Sequence, residues 1–569
     1  MNSEPQQPEP SRSRGISVVS TLDRNEAQPG DRRRVPKFGN GKNAGVELDP
    51  QPSDSSEDPL NWPQWKKELA FGSLLLGTAV IGALKTMLVT VTSALVVELG
   101  TSYMGTTALT GLPLIVGAFA GLHSVALSHM TGKRLLYLIS SVMLLLSAVW
   151  TMHIFGSYSQ FMISRVLQGF AWGTFESLVL LSVKDMYFVH ERSSRITIYN
   201  ITNIIFTWGS PMVGGFVSQR VDGFRNQIMI INIIQAFSVV LLIFGTPETS
   251  YKRASDRSNV GGHFRSGTVT TVSAGTSSGF KSYLSSLHPM SPKGTSKFEL
   301  SRALYPLRAL SAPSTILTFF LTAPLVATAF GTAHLLSMLF APTPVMALPT
   351  QLGLMFTGPL VGGLIFYTIV SVTSHMLSRR GSRSSSFRNL GAAIPGILLG
   401  FAGILAFGLY VEGTLRPDAS MANSIFDLYT QGQDFNKKIA SFAFGLTVSG
   451  AVVLNYAGAM HIKATAASVK EADALEGGHR ALQDLLTGIF IIGVPLWVQG
   501  GGDNMFPGLK DTSIALAVVQ IVIASTVAAA LWVKGEDIRR LDGRVLGTQG
   551  GEEGIVMQRW KTKDSFMEG

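Results

Sequence analysis

The chain has 569 residues, of which 46% are hydrophobic and only 14% carry a charge. It contains no cysteine, which excludes disulfide bonds, thiolate metal sites and cysteine nucleophiles. The formal net charge of +10 could indicate nucleic-acid binding, but we expect no such partner because the basic residues follow a different pattern.

In chain order, residues 1–65 are polar and rich in Pro, Ser, Gln and Arg, and they predict a disordered cytosolic tail. Two blocks of apolar sequence follow, at 66–246 and 313–534. The polar stretch 247–312 between them is rich in Ser, Thr and Gly and predicts a flexible cytosolic linker. Residues 535–569 are predicted to form a second cytosolic tail.

Each block contains six apolar runs, and most have the length of a membrane-spanning helix. A bilayer core about 30 Å thick requires roughly 20 apolar residues in a helix. The sequence therefore predicts an all-α membrane protein with twelve transmembrane helices in two six-helix bundles. The runs cover 69–97, 107–127, 135–155, 161–183, 196–217, 228–245, 313–340, 352–377, 390–411, 439–460, 482–498 and 513–533.

The basic residues are distributed asymmetrically. If the chain starts in the cytosol and the helices alternate in direction, 38 of the 46 Lys and Arg residues fall on the inner side. Six fall on the outer side, and two, Lys85 and Arg165, lie within helices. This is the positive-inside pattern. It predicts a multi-pass protein of the cell membrane with both termini in the cytosol.

The fourth apolar run carries a stripe of polar and aromatic residues. Arg165, Gln168, Trp172 and Glu176 follow at spacings of three, four and four residues, so they share one helix face. A charge inside the bilayer costs at least about 2.5–3.5 kcal/mol and needs a partner or water. The stripe either lines a central cavity or forms an internal clamp that holds helices together, and we favour cavity lining.

Lys85 lies near the middle of the first run. It could approach Arg165 or Glu176, or it could bind an anionic substrate directly. The candidate substrate-binding residues, all inside predicted helices, are Lys85, Gln168, Trp172, Asn200 and Asn203.

Six short motifs stand near helix ends in the first half of the chain. They are 58–63 (DPLNWP), 132–134 (GKR), 165–169 (RVLQG), 185–192 (DMYFVHER), 209–215 (GSPMVGG) and 247–253 (PETSYKR). Together they resemble a fungal member of the major facilitator superfamily, and in particular its twelve-helix drug–proton antiporter branch. The second half resembles that branch more loosely.

The resemblance implies two bundles related by an axis along the membrane normal, with a site between them that opens alternately to each side. It implies a monomer in the lipid bilayer that moves a small-molecule substrate without a cofactor. The residues that it assigns to gating and helix packing are Gly132, Lys133, Arg134, Gly209, Pro211, Gly214 and Gly215.

The chain departs from the family pattern at two places. His129 and Met130 stand where relatives have an acidic and then a basic residue, so the gating contact of that acidic residue is not carried over. Ser210 separates Gly209 from Pro211, which relatives usually have adjacent.

No phosphate-binding loop or metal-binding motif occurs, so we expect neither an ATP-driven pump nor an enzyme. The proton gradient is then the expected driving force. Glu176, the one acidic residue well inside a predicted helix, is the candidate proton carrier, with Arg165 beside it.

The leading hypothesis is proton-coupled export of a small organic compound, such as a drug, a toxic metabolite or a fungal secondary metabolite. One alternative is a proton symporter that imports a nutrient or polyamine, although Lys85 and Arg165 together outnumber Glu176 and disfavour a polycation. Another is a sensor that has kept the fold and lost transport.

Overall fold

The computed structural model describes residues 48–53, 55, 57–219, 223–251, 287, 306–379, 391–415, 432, 435–466, 468–499 and 508–547. All helices described below lie in the unit Ser53–Gly569, whereas residues 48–52 of the unit Met1–Pro52 contain no helix or strand. Most of the predicted amino-terminal tail, most of the predicted linker and the chain after residue 547 lie outside the described residues. So do Arg220, Arg383 and Arg416, on which the predicted orientation partly rests.

Twelve long helices account for most of the described residues. They are α1 (Gln64–Glu98), α2 (Tyr103–Thr131), α3 (Lys133–Met152), α4 (Tyr158–Met186), α5 (Val189–Val217), α6 (Gly223–Gly245), α7 (Pro313–Phe340), α8 (Pro349–Leu377), α9 (Ala393–Leu415), α10 (Lys437–Thr465), α11 (Val469–Gln499) and α12 (Leu509–Leu546). Within the described ranges, eleven are long and apolar enough to cross a membrane. The exception, α5, has 29 residues but a more polar sequence that includes Asn200 and Asn203.

The helices form the two predicted bundles, α1–α6 and α7–α12. In the first bundle α2 packs along α4, and α1 packs along α5. In the second, α10 packs against α8 and α9, and α7 packs along α11. The bundles meet chiefly along α2 with α11 and α5 with α8, and α1 also contacts α7. The all-α fold predicted from the sequence is confirmed.

Glycines allow α2 and α4 to approach closely. A Cβ atom on Gly173 would meet the backbone of Gly117 and Gly121, and one on Gly169 would meet the backbone of Pro113. Small residues at such spacings bring membrane helices into backbone contact. This contact fixes α4, which carries the polar stripe, against its neighbour.

A short turn precedes α1, within the stretch 1–65 that the sequence assigns to the tail. The Asp58 carboxylate accepts hydrogen bonds from the backbone N–H groups of Leu60, at 3.1 Å, and Ser53, at 2.9 Å. It thereby caps the short 3₁₀ turn Pro59–Asn61 that leads into α1.

Two helices in the second bundle extend 13 residues beyond their apolar runs. Helix α11 begins at Val469 rather than at residue 482, and α12 continues to Leu546 rather than ending at 533. The added turns contain charged residues such as Asp473 and Glu476, so an apolar run does not reveal them. These polar turns lie at the predicted cytosolic end and contribute to the site described next.

Candidate functional site

An ion pair between α1 and α4 stands at the centre of the first bundle's inner face. The Lys85 ammonium group donates to the Glu176 carboxylate. The side chains of Lys85 and Glu176 are 9% and 19% exposed, so the lysine is buried and the carboxylate is partly buried. Of the contacts considered for Lys85 from the sequence, the structure therefore contains the one with Glu176.

Two charged residues of α11 join this pair from the second bundle. Arg480 donates to the backbone carbonyl of Glu176, at 3.2 Å, and its charge lies near the side chain of Tyr199 in α5. Asp484 lies one helical turn further along α11, and its carboxyl group is within hydrogen-bonding reach of Glu176. The cluster of Lys85, Glu176, Tyr199, Arg480 and Asp484, which we call the central cluster, thus spans both bundles.

The arrangement of Glu176 and Asp484 has a chemical consequence. An ionised carboxylate can only accept hydrogen bonds, so two carboxyl groups bond to each other only when one holds a proton. Their contact crosses the interface between the bundles. The central cluster can therefore hold one proton between Glu176 and Asp484. When that proton is lost, two negatively charged carboxylates face each other.

Asp484 corrects the sequence-based statement that Glu176 is the one acidic residue well inside a helix. The apolar run placed residue 484 near the start of the eleventh helix, whereas α11 begins at Val469. Arg480 lies just before this run, which starts at residue 482. The available signal was the spacing of Glu476, Arg480 and Asp484 at four-residue intervals, which puts them on one helix face.

Arg165 is separate from the central cluster and lies inside the first bundle at 2% exposure. Its guanidinium group donates to the carbonyls of Leu109, at 2.8 Å, and Leu84, at 3.1 Å, and to the Gln168 side chain, at 2.6 Å. It also lies over the Trp172 ring at 5.1 Å from the centroid. These contacts tie α1, α2 and α4 together, which corresponds to the clamp alternative left open by the sequence.

The two predicted asparagines of α5, Asn200 and Asn203, have different neighbours. The Asn200 amide donates to the Tyr367 hydroxyl across the interface at 3.1 Å. Asn203 lies one turn further, accepts from Thr207 at 3.2 Å, and is exposed. Asn200 therefore joins the bundles, while Asn203 contacts a residue of its own bundle and is exposed.

An aromatic contact between the bundles was not predicted from the sequence. The Trp208 ring of α5 lies 5.1 Å from that of Phe330 in α7 and 5.9 Å from that of Phe444 in α10. Trp208 is only 5% exposed and belongs to the second bundle's hydrophobic core. An apolar run cannot distinguish such a residue from one that faces lipid.

The turn after α2 links three helix ends of the first bundle. Gly132 adopts a φ of 88°, a left-handed conformation that favours glycine. The backbone N–H groups of Lys133 and Arg134 donate to the Glu248 carboxylate at 3.1 and 3.0 Å. Lys133 also pairs with Asp185 at 2.6 Å. The described contacts of this motif thus fasten α3 to the ends of α4 and α6.

The bundles touch at the predicted outer end through α1 with α7 and through α5 with α8. The Ser93 backbone N–H and hydroxyl donate to the hydroxyl and carbonyl of Ser337, at 3.1 and 3.0 Å. A Cβ atom on Gly215 would lie 3.2 Å from the Gly353 Cα atom, so Gly215 allows α5 to approach α8 closely. A Cβ atom on Gly214 would instead meet the Gln227 side chain, inside the first bundle. In the same stretch of α5, the Pro211 carbonyl lies against Gly353, and Gly209 approaches the Leu360 side chain.

A set of ion pairs joins the bundles at the predicted cytosolic end. Lys184, at the end of α4, pairs with Asp473 and lies 3.7 Å from Glu476, both of α11. Glu476 also accepts from Arg480 at 3.0 Å and lies 3.9 Å from Lys463 of α10. We call Lys184, Asp473 and Glu476 the cytosolic gate, after the predicted orientation and the gating role proposed below. The described contacts therefore hold the bundles together at both ends as well as in the middle.

The fold and these contacts define a two-bundle membrane protein with a polar site at the interface of its bundles. The sequence model of the Major Facilitator Superfamily matches residues 74–466. The chain belongs to this superfamily. It is a multi-pass membrane protein of a transporter superfamily.

Two fungal proteins are similar to part of the chain. "Protein HOL1" of Saccharomyces cerevisiae is 28% identical over 210 residues, which are 37% of this chain and 36% of that protein. An uncharacterized MFS-type transporter of Schizosaccharomyces pombe is 29% identical over 215 residues, 38% of this chain and 36% of that protein. The matched region thus spans little more than a third of each relative.

Solved transporter structures share the fold. The xylose transporter XylE from E. coli, in a partially occluded inward-open conformation, has a TM-score of 0.53 at 13% identity and covers 83% of this chain and 98% of its own. A POT family transporter in complex with 5-aminolevulinic acid has a TM-score of 0.56 at 14% identity and covers 84% and 97%. At these identities the likeness shows the fold alone.

Proposed function

We propose that this protein is a proton-coupled transporter in which Glu176 and Asp484 hold the coupling proton between the two bundles. The observation that carries the proposal is the approach of α11 to Glu176 across the bundle interface, where Arg480 bonds the Glu176 carbonyl and Asp484, one turn further, lies beside the Glu176 carboxyl group. With one proton present they share a hydrogen bond. Without it, the two carboxylates repel each other; for scale, two unit charges about 4 Å apart repel by about 4 kcal/mol at an effective dielectric constant of about 20.

Lys85 and Arg480 determine how much of that repulsion remains. Lys85 pairs with Glu176 from within the first bundle, whereas Arg480 reaches the same residue from the second. A substrate that binds Lys85 or either carboxyl group changes the affinity of the cluster for the proton. Binding of the substrate and binding of the proton are thereby coupled, with Lys85 and Asn203 as substrate contacts.

Arg165, Gln168 and Trp172 have a supporting role in this proposal. Gln168 and Trp172 are each 1% exposed and contact Arg165 inside the first bundle. They position α4, and thus Glu176, against α1 and α2.

We propose export of a small organic compound as the direction of transport, in keeping with a drug–proton antiporter. The support is the GSPMVGG sequence at 209–215, which resembles the antiporter signature and packs against α8 at the predicted outer end. The exported compound can be found by comparing metabolites retained by cells with and without the gene. Loss of uptake of an external nutrient, without retention of any metabolite, would reject export.

Import of a cationic nutrient is the second candidate, and one observation favours it. Asp484 adds a second carboxyl group to the site, while Arg165 is withdrawn into the first bundle. The excess of basic groups inferred from the sequence therefore does not hold for the central cluster.

Vesicles with an imposed proton gradient test the coupling. Glu176→Gln and Asp484→Asn should each abolish gradient-driven transport while the protein remains in the membrane, and exchange of substrate without a gradient should survive. Glu412→Gln is the matched control, because Glu412 is a buried carboxylate that accepts from the Lys510 backbone N–H at 2.6 Å, outside the central cluster. Unchanged uphill transport in both cluster variants would remove this pair from the mechanism.

A further inference from the structure

Helix α12 continues past the membrane-spanning part of its sequence. At Lys534 the backbone departs from helical geometry and kinks the helix. The following segment, residues 535–546, which we call the C-terminal clamp, buries Ile538, Asp542 and Leu546. Their four-residue spacing forms one helix face. The clamp therefore lies against the second bundle rather than projecting away from it.

Asp542 supplies a helix cap that α7 lacks in its own sequence. The residue before α7 is Ala312, whose side chain offers no hydrogen bond. The Asp542 carboxylate accepts hydrogen bonds from the Ser314 backbone N–H, at 3.0 Å, and from the Ser314 hydroxyl. A carboxylate at a helix N-terminus satisfies a free N–H group and is favoured by the helix dipole. Asp542 is 2% exposed, so little water competes for these bonds.

The end of the clamp packs against the polar turns of α11. Leu546 forms a small hydrophobic cluster with Ala474 and Leu475 of α11 and with Ala309 and Ala312, which precede α7. Ala474 and Leu475 stand between the two acidic residues of the cytosolic gate in the sequence. One face of this part of α11 thus pairs with Lys184, and another lies against the clamp.

We propose that Asp542 is a positioning residue for the cytosolic gate. By bonding Ser314, it holds the clamp on the start of α7, and the clamp in turn holds Asp473 and Glu476 where Lys184 can reach them. Loss of the Asp542 contact frees the first turns of α11 and favours separation of the bundles at this end. The inference relies on alternating access but on neither the proton nor the substrate proposed above.

The natural lack of cysteine permits a direct test, because a single introduced thiol is the only one in the protein. Ala481→Cys places it in α11 at 8% exposure, in a cluster with Ala118 and Leu122 of α2 across the interface. A membrane-impermeant maleimide is added to vesicles with the cytosolic face outward, and the labelling rate is measured. Ser93→Cys, in a separate protein, reports on the opposite end of the interface.

We expect Asp542→Ala to increase labelling at position 481 about threefold to tenfold, as loss of a helix cap would allow. In the same Asp542→Ala background, the labelling rate of the Ser93→Cys thiol from the opposite membrane face should stay constant or fall. Ser314→Ala, which retains the backbone bond, should produce a smaller increase. Asp537→Ala, in the exposed part of the same clamp, is the matched control and should change neither rate.

Two results would overturn the inference. One is unchanged labelling at position 481 in both Asp542→Ala and Ser314→Ala. The other is an equal increase at positions 481 and 93, which would indicate general loosening rather than opening of the gate. Ser314→Ala keeps the test decisive if Asp542→Ala does not fold, because it removes only a hydroxyl group.

Discussion

The cytosolic gate depends on Lys184, and replacing this residue with methionine should favour opening of the bundles at that end. Lys184→Met retains much of the side-chain volume and removes the ammonium group. The group pairs with Asp473 and lies 3.7 Å from Glu476. Glu476 keeps its ion pair with Arg480 at 3.0 Å, so the residue that mainly loses its partner is Asp473.

The magnitude follows from the burial of these side chains. Lys184, Asp473 and Glu476 are 13%, 22% and 9% exposed, which is between a surface pair and a fully buried one. Exposed pairs contribute about 0.2–1 kcal/mol, and removal of one partner from a buried pair costs about 3–5 kcal/mol. We therefore expect a loss of about 1–2 kcal/mol, which shifts the opening equilibrium roughly fivefold to thirtyfold.

Labelling of the Ala481→Cys thiol from the cytosolic face measures this shift. Arg195→Met is the matched control, since Arg195 pairs with Glu68 at 2.5 Å within the first bundle. The control should not open the interface. A labelling rate in Lys184→Met equal to that of the control would refute the assignment of Lys184 to the gate.

Three further predictions concern packing and orientation. Gly173→Ala should lower the melting temperature, because its Cβ atom would meet the Gly117 backbone, whereas Gly72→Ala, with open space around it, should not; equal melting temperatures would contradict the close packing. Arg165→Met should cost about 3–5 kcal/mol of folding free energy by removing a buried charge from the carbonyls and side chain that it binds; a stable but inactive variant would instead assign Arg165 to transport. A protease-sensitive tag inserted at residue 270 should be cleaved only in permeabilised cells, and cleavage in intact cells would reverse the predicted orientation.

The fold was accessible from the sequence because bilayer thickness fixes helix length. Apolar runs near 20 residues, split six and six, were sufficient to predict the two bundles. The boundaries at Val469 and Leu546 were missed because helical turns that leave the membrane no longer need apolar residues. Length and hydropathy carry no information about where such turns end.

The site was only partly accessible. Spacing placed Arg165, Gln168, Trp172 and Glu176 on one helix face, but a helix face does not say which members turn toward the other bundle. Arg165 donates hydrogen bonds to carbonyl groups within its own bundle, whereas Glu176 lies near Asp484 of the other bundle. Pairing between helices distant in sequence depends on how the bundles dock, and no local pattern records it.

The pH dependence of opening tests the central claim most directly, without knowledge of the substrate. The labelling rate of the Ala481→Cys thiol is measured over a range of pH and corrected for the reactivity of a free thiol. The account predicts that the labelling rate rises as pH increases. Loss of the shared proton leaves two carboxylates that repel each other across the bundle interface and favour its opening. In Glu176→Gln this rise should be lost, since ionised Asp484 then faces a neutral amide that can donate to it rather than a second carboxylate. A pH profile that is the same in wild type and Glu176→Gln would contradict the account.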